Sequence, residues 1–243
     1  MAADKNIEPS ILDRNNKDID WLPISDLMTG LMVIFLFISI SYMIAVQAQK
    51  KQIVDIAQSY ITLQQQLYVD LLQEFKEDLP RWSARIDSSS LSVTFTEPDV
   101  LFAAGSAQIR PRFEEILRDF FPRYVRILTS PMYEADISEV RIEGHTSSEW
   151  EELPPDEAYF YNMNLSQGRT RSVLQFVMKL VEGDSIMVAW LKDRFTANGL
   201  SSSKLILNEK GLEDRQRSRR VEFRVKTRAD ERLQKILQLR SLE

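Results

Sequence analysis

An aspartate at the head of a long apolar run is the first residue in this sequence placed to do chemistry. Asp26 opens the stretch Leu27–Val46, in which every residue is apolar or small and neutral except Tyr42. About 20 such residues, at roughly 1.5 Å each, match a hydrocarbon core of about 30 Å and predict a helix that crosses a membrane. A carboxylate costs about 2.5–3.5 kcal/mol at the centre of such a span and less near its end. Two readings of Asp26 follow. It is a first-turn residue at the headgroup level with Ser25 as N-cap, or it is an intramembrane carboxylate that binds and releases a cation. Trp21, Pro23 and Ile24 come just before it. With Trp21 as interface anchor and Pro23 in the first turn, the apolar segment begins a turn earlier, and Asp26 then falls inside it.

Little else in the chain has the form of a reacting group. Gly-x-Ser-x-Gly, phosphate-loop and dinucleotide fingerprints are absent. The neighbouring carboxylates Glu151 and Glu152, and Asp156 and Glu157, fall in a charged loop and read as solvated surface. A wall-cleaving enzyme needs a buried acid, and no pattern supplies one. The chain is therefore read as no enzyme, with no cofactor. His145 is the only histidine and there is no cysteine, so a zinc site cannot be assembled around it; it reads as a structural hydrogen-bonding residue. The net charge of −5, from 31 basic and 36 acidic residues, gives no electrostatic footing for direct nucleic-acid binding.

Patterning divides the 243 residues into segments. Residues 1–20 are a polar tail with five acids beside Lys5, Arg14 and Lys17, and residues 21–49 are the transmembrane helix. The span is too long, and its approach too poor in basic residues, for a cleavable signal peptide. Residues 50–88 form a helical linker. Ile53, Ile56, Tyr60, Leu63 and Leu67 recur at spacings of three and four, Leu71 and Phe75 extend the stripe, and Pro80 ends the helix before about Arg85. That stripe either packs on the chain's own domain or continues the span as the coiled coil of a dimer.

Residues 89–227 have the texture of a folded domain. Leu91, Val93 and Phe95 alternate as a half-buried strand, and Val140 and Ile142 form a second one ending at Gly144. Pro111 starts a helix with Phe113, Ile116, Leu117, Phe120 and Phe121 on one side. Leu165–Val181 is a second helix, and 186–194 a short third. Leu205–Leu207 is a candidate strand, and Val221, Phe223 and Val225 are a third strand. Residues 228–243 are a helical tail. The fold class is α+β: one N-terminal transmembrane helix, then an α/β sandwich with helices against one sheet.

Two blocks carry a family resemblance. Ser25-Asp26-Leu27-Met28-Thr29-Gly30-Leu31-Met32 with its aromatic run resembles the membrane helix of MotB-type stator subunits. Ile142-Glu143-Gly144-His145-Thr146, Asn162-Met163-Asn164-Leu165-Ser166-Gln167-Gly168-Arg169 and Arg219-Arg220-Val221-Glu222-Phe223 are similar, in order, to an OmpA C-terminal-like domain. Within the superfamily the chain is most similar to the Zorya branch, which serves anti-phage defence; the alternatives are a flagellar stator subunit and a non-conducting wall tether.

The resemblance implies that Asp26 carries a transported cation, H⁺ favoured over Na⁺, and that its flux drives rotation of a pentameric MotA-like (ZorA-type) ring around a homodimer of this chain. It implies an inner-membrane, single-pass protein, N-terminus in the cytoplasm and C-terminal domain in the periplasm, binding peptidoglycan. Carried over by motif, Asn162 and Arg169 contact the diaminopimelate of the peptide stem, with Tyr161 and Leu165 shaping the pocket wall. Arg169 is expected one turn into a helix, where free N–H groups favour an anion, and both contacts are expected at a rim. One departure stands out: Ser147 occupies the place of the family aspartate, and an insertion carrying Glu149, Glu151 and Glu152 follows it.

Overall fold

The computed structural model describes residues 21–96, 98–150 and 153–228. The expected N-terminal tail, residues 1–20, all but the first residue of the expected C-terminal tail, 228–243, and the inserted Glu151 and Glu152 lie outside these, as do the side chains of Trp21, Ile56 and Tyr60. The chain divides into two units, through Gln52 and from Ile53 onward, and each is described by itself.

In the first unit, helix α1 (Trp21–Phe75) runs through the apolar stretch, and Ile24–Asp55 is long and apolar enough to cross a membrane. Leu31, Met32, Phe35 and Phe37 are each more than half exposed. Water strongly disfavours so large an apolar surface, whereas lipid does not. Because α1 begins at Trp21, Ser25 is not an N-cap and Asp26 is not in the first turn. Thr29 Oγ1 turns back to donate to the Ser25 carbonyl at 2.8 Å, so its hydroxyl is satisfied within the helix.

The second unit begins with the end of the same helix. Leu67, Leu71 and Phe75 are fully buried in the core of the folded domain, so this part of the stripe packs on its own domain. The helix stops at Phe75, short of the Pro80 expected to end it, and β1 (Ala84–Asp87) follows after a run of turns. Arg123 fastens the junction, with Nε to Glu74 Oε1 at 2.7 Å and Nη1 to Asp78 Oδ2 at 2.8 Å. Tyr133 adds a hydrogen bond from its hydroxyl to Asp70 at 2.5 Å.

The remaining elements are β2 (Ser92–Phe95), α2 (Pro98–Leu101), α3 (Pro111–Leu128), β3 (Ile137–His145), α4 (Pro155–Leu180), α5 (Ser185–Arg194), β4 (Phe195–Gly199), α6 (Arg215–Ser218) and β5 (Arg220–Thr227). The strands form one mixed sheet in the order β1-β2-β5-β3-β4; only the β3–β4 pair is parallel. The expected sandwich is present. The α3 residue Phe120 stands at the centre of its aromatic core, with ring centroids 5.2 Å from Phe75, Phe95 and Phe223. One end of the core is thereby closed by α1, the middle by the sheet.

Two expectations are corrected, and one strand is added to them. Helix α4 starts at Pro155, ten residues before Leu165, because Pro155 occupies the first helical position, where its fixed φ and missing N–H cost nothing. Leu205–Leu207 is no strand; only Leu207 makes a bridge, to Glu213. Finally, β4 was not anticipated, since Phe-Thr-Ala-Asn-Gly offers one large apolar residue for an edge position.

Two glycines let α4 lie on the sheet at backbone distance. A Cβ at Gly144 would stand 2.7 Å from Thr170 Cγ2, and one at Gly199 would stand 2.2 Å from the Gln167 amide nitrogen. Gln167 Oε1 accepts from the Gly199 amide at 2.8 Å, and the Ser201 amide donates to Ser166 Oγ at 3.1 Å. These contacts fix the rotation of α4, and with it the face that carries Asn162, Leu165 and Arg169.

Candidate functional site

Positions 162, 165 and 169 fall at i, i+3 and i+7 along α4, one face of the helix. That face, the loop after β3 and the loop between α2 and α3 enclose a pocket of about 220 Å³. Thr146, Ser147, Glu149 and Trp150 line it from the β3 side, and Asp99, Phe102, Ala104 and Gly105 from the other. Arg219, the residue before β5, completes the lining. Of the four residues assigned to the stem, Asn162, Leu165 and Arg169 line the pocket. Tyr161 does not: it is 52% exposed and lies behind Trp150, its ring stacked on the indole with centroids 5.8 Å apart.

Asn162 and Arg169 are not at a rim. They are 2% and 9% exposed, with the loop after β3 against Asn162 and the loop between α2 and α3 against Arg169; α4 itself starts ten residues before the expected start. The same extension removes the helix-terminus argument for Arg169, which lies four turns in. What holds Arg169 is the loop opposite. Its Nε donates to the Ser106 carbonyl at 2.9 Å, its Nη2 to the Ala103 carbonyl at 3.2 Å, and the guanidinium sits 4.9 Å from the Phe102 ring centroid. Burial, with the nearby charge of Arg219, lowers its pKa to about 10, which still leaves it a cation at neutral pH. Asn162 Nδ2 donates to the Glu149 carbonyl at 3.1 Å and so shapes the loop that bears Ser147.

The electrostatics of the pocket are lopsided. Among the described residues neither Arg169 nor Arg219 has a carboxylate within ion-pair distance. Arg219 Nε and Thr146 Oγ1 are both buried without a hydrogen-bond partner. Of the two lining carboxylates, Glu149 is taken by Arg215 at 2.5 Å. The other is Asp99, which the sequence reading passed over because it lies far along the chain from the motif blocks.

Beside the pocket, on the sheet face away from the aromatic core, Glu143, His145 and Glu222 bring their donor atoms within 4.8 Å of one another. His145 Nε2 is 3.9 Å from Glu143 Oε2 and 3.8 Å from Glu222 Oε1. A metal would have to compete with arginines: Arg220 Nε donates to Glu222 Oε1 at 2.6 Å, and Arg224 Nε is 3.6 Å from Glu143 Oε2. Two guanidiniums already balance the two carboxylates, so no metal is assigned here. The expectation for His145 is corrected in part. It is 3% exposed, but neither ring nitrogen has a hydrogen-bond partner among the described residues.

That environment predicts a pH dependence. Burial, then the charge of Arg220, holds the imidazole down to about 4 from 6.5. The unfolded chain takes up its proton near 6.5 while the folded one resists. Stability that rests on neutral His145 is therefore complete above about 6.5 and is lost as pH falls toward 4. Burial raises Glu143, which opposes this loss; the hydrogen bond from Arg220 holds Glu222 low against its burial. Thermal unfolding of the full chain in detergent should show about 2 kcal/mol more acid loss between pH 6.5 and 4.5 for wild type than for His145→Gln. Parallel curves would contradict the assignment.

No protein-family model matches the chain. It is 47% identical over 236 residues to Zorya protein ZorB of Escherichia coli, an alignment covering 97% of this chain and 99% of that protein. Among solved structures it is similar to the cell wall anchor of the T6SS from Pseudomonas aeruginosa (25% identity, 65% of this chain and 96% of that one, TM-score 0.44). A putative MotB-like protein from Desulfovibrio vulgaris matches at 21% identity, over 70% of this chain and 94% of that one, with a TM-score of 0.47. The periplasmic domain of Helicobacter pylori MotB matches at 18% identity, over 61% and 82%, with a TM-score of 0.40.

Proposed function

The chain belongs to the ZorB family, and from that premise we propose that it is the MotB-like stator subunit of a Zorya anti-phage motor. Residues 21–49 cross the inner membrane, with residues 1–20 in the cytoplasm and the folded domain in the periplasm. Two copies stand inside a pentameric ring of a MotA-like partner, joined along the part of α1 that precedes Leu63. Asp26 takes up and releases a proton as the ring turns. One charge crossing the membrane carries about 2.3 kcal/mol per 100 mV, so several transits per cycle supply the work of a rotation step.

The folded domain holds the motor against the wall by binding the peptide stem of peptidoglycan. The observation that carries this part is Arg169, a buried cation lining a pocket without a carboxylate partner of its own. A guanidinium so placed is matched by a carboxylate, which it can grip through two parallel N–H groups. Asp99 offers the pocket's unpaired negative charge and takes the stem ammonium in place of the aspartate that Ser147 replaces. Glu149, the other lining carboxylate, is engaged by Arg215 in an exposed ion pair. The full chain in detergent should pellet with purified diaminopimelate-type peptidoglycan and be released by the free stem peptide. A chain that stays in the supernatant removes the wall anchor from this reading.

A further inference from the structure

We propose that Glu213 is a positioning residue of the pocket: from outside, it fixes the loop after β3 so that Trp150 forms one wall. The inference rests on the stem-binding reading and says what sets the strength of that binding. Neither Glu213 nor Ser148 lines the pocket. Their contact is nonetheless double. The Ser148 amide donates to Glu213 Oε1 at 2.9 Å, and Ser148 Oγ donates to Glu213 Oε2 at 2.5 Å. Hydrogen bonds to a carboxylate are roughly twice as strong as neutral ones, and a pair of them fixes direction as well. The neighbouring Glu149–Arg215 ion pair is exposed on both sides and holds the loop far less.

Both ends of this contact are themselves held. Glu213 sits in a hairpin closed by its bridge to Leu207, by the Asn208 amide to the Leu212 carbonyl at 2.8 Å, and by the Asp214 amide to the Ile206 carbonyl at 2.7 Å. Leu207 and Leu212 are more than half exposed, so the hairpin adds little to the core. What its placement does serve is the loop. That loop is tied where it leaves β3, by the Thr146 amide to the Ser201 carbonyl at 2.9 Å, and again by Asn162 on the Glu149 carbonyl. Trp150 follows directly. It lines the pocket, and its indole stacks on Tyr161 with the ring planes 18° apart. An indole so placed offers a flat apolar wall to the methylene chain that joins the stem to the far ammonium and carboxylate of diaminopimelate. A wall fixed before the ligand arrives costs less to order on binding.

The test is a double-mutant cycle, read by calorimetry of the full chain in detergent with a tripeptide stem ending in diaminopimelate. Glu213→Ala should bind the stem about tenfold more weakly, as expected if the freed loop holds the closed arrangement about a tenth of the time. Its unfolding temperature should stay close to that of wild type, because the contact is at the surface. Glu213→Gln, which keeps one acceptor oxygen, should recover part of the loss. Trp150→Ala should weaken binding by about tenfold or more, and adding Glu213→Ala to it should weaken binding no further. A residue that only stabilised the fold would lower affinity equally in both backgrounds. Wild-type affinity in Glu213→Ala, or losses that multiply in the double variant, overturns the inference and leaves stem binding standing. Failure of wild type to bind the stem overturns both.

Discussion

Asp26→Asn should reduce phage protection to the level of cells lacking the system, while the protein remains in the membrane at wild-type abundance. The substitution keeps size and hydrogen-bonding capacity and removes only the ability to titrate. Asp26 lies in α1 past its first turn, at the head of a stretch apolar enough to cross a membrane. A carboxylate there is tolerated only near the end of the span or for a purpose. Asp26→Glu should retain at most part of the activity, because the longer side chain moves the charge. Undiminished protection by Asp26→Asn in a plaque assay would make this residue incidental and leave a non-conducting wall tether.

The second large effect concerns Arg169. Replacing it with Ala together with Asn162→Ala should abolish sedimentation with peptidoglycan, a loss of roughly 100-fold in affinity from one bidentate charged contact and its support. Both residues are buried, and Arg169 also holds the carbonyls of Ser106 and Ala103. The double variant should therefore melt at a lower temperature as well. Arg169→Lys separates the two effects: it keeps the positive charge but cannot fork onto both carbonyls and a ligand. It should retain weak pelleting that disappears at high salt. A double variant that pellets like wild type places the stem elsewhere on the domain.

How much of this was legible in the sequence depended on how local each signal is. The span announces itself in about 20 consecutive residues, and alternation at Leu91–Phe95 and Val221–Val225 gave two strands of the sheet. Burial of Asn162 and Arg169 was not legible, because the loops that cover them, at Glu149 and at Phe102–Ser106, are distant in sequence; nor was the start of α4 at Pro155. A Pro-Pro pair reads equally well as loop or as helix start. Strand β1 and strand β4 are edge strands with one large apolar residue each, too little for a period-two pattern. The expected end of α1 at Pro80 is too late: the chain leaves the helix after Phe75 in a run of turns, at a point that no Pro or Gly marks.

The parts of the site supplied by sequence-distant residues were the hardest to read. Asp99 and Ser147 are 48 positions apart, and only the fold brings both to one pocket. Arg219 and Arg220 are adjacent and chemically identical, yet one belongs to the pocket and the other to the sheet. A clue existed in the alternation of strands: consecutive residues point to opposite sides, so a pair of arginines entering a strand must serve two different surroundings.

Proton flux through the assembled motor tests the central claim most directly. Vesicles carrying this chain with its MotA-like partner, loaded with a pH-sensitive dye and given a potential of about 100 mV, should acidify at a rate that wild-type chain sets and Asp26→Asn reduces to that of vesicles without protein. Equal flux from wild type and Asp26→Asn, at matched incorporation, would contradict the account.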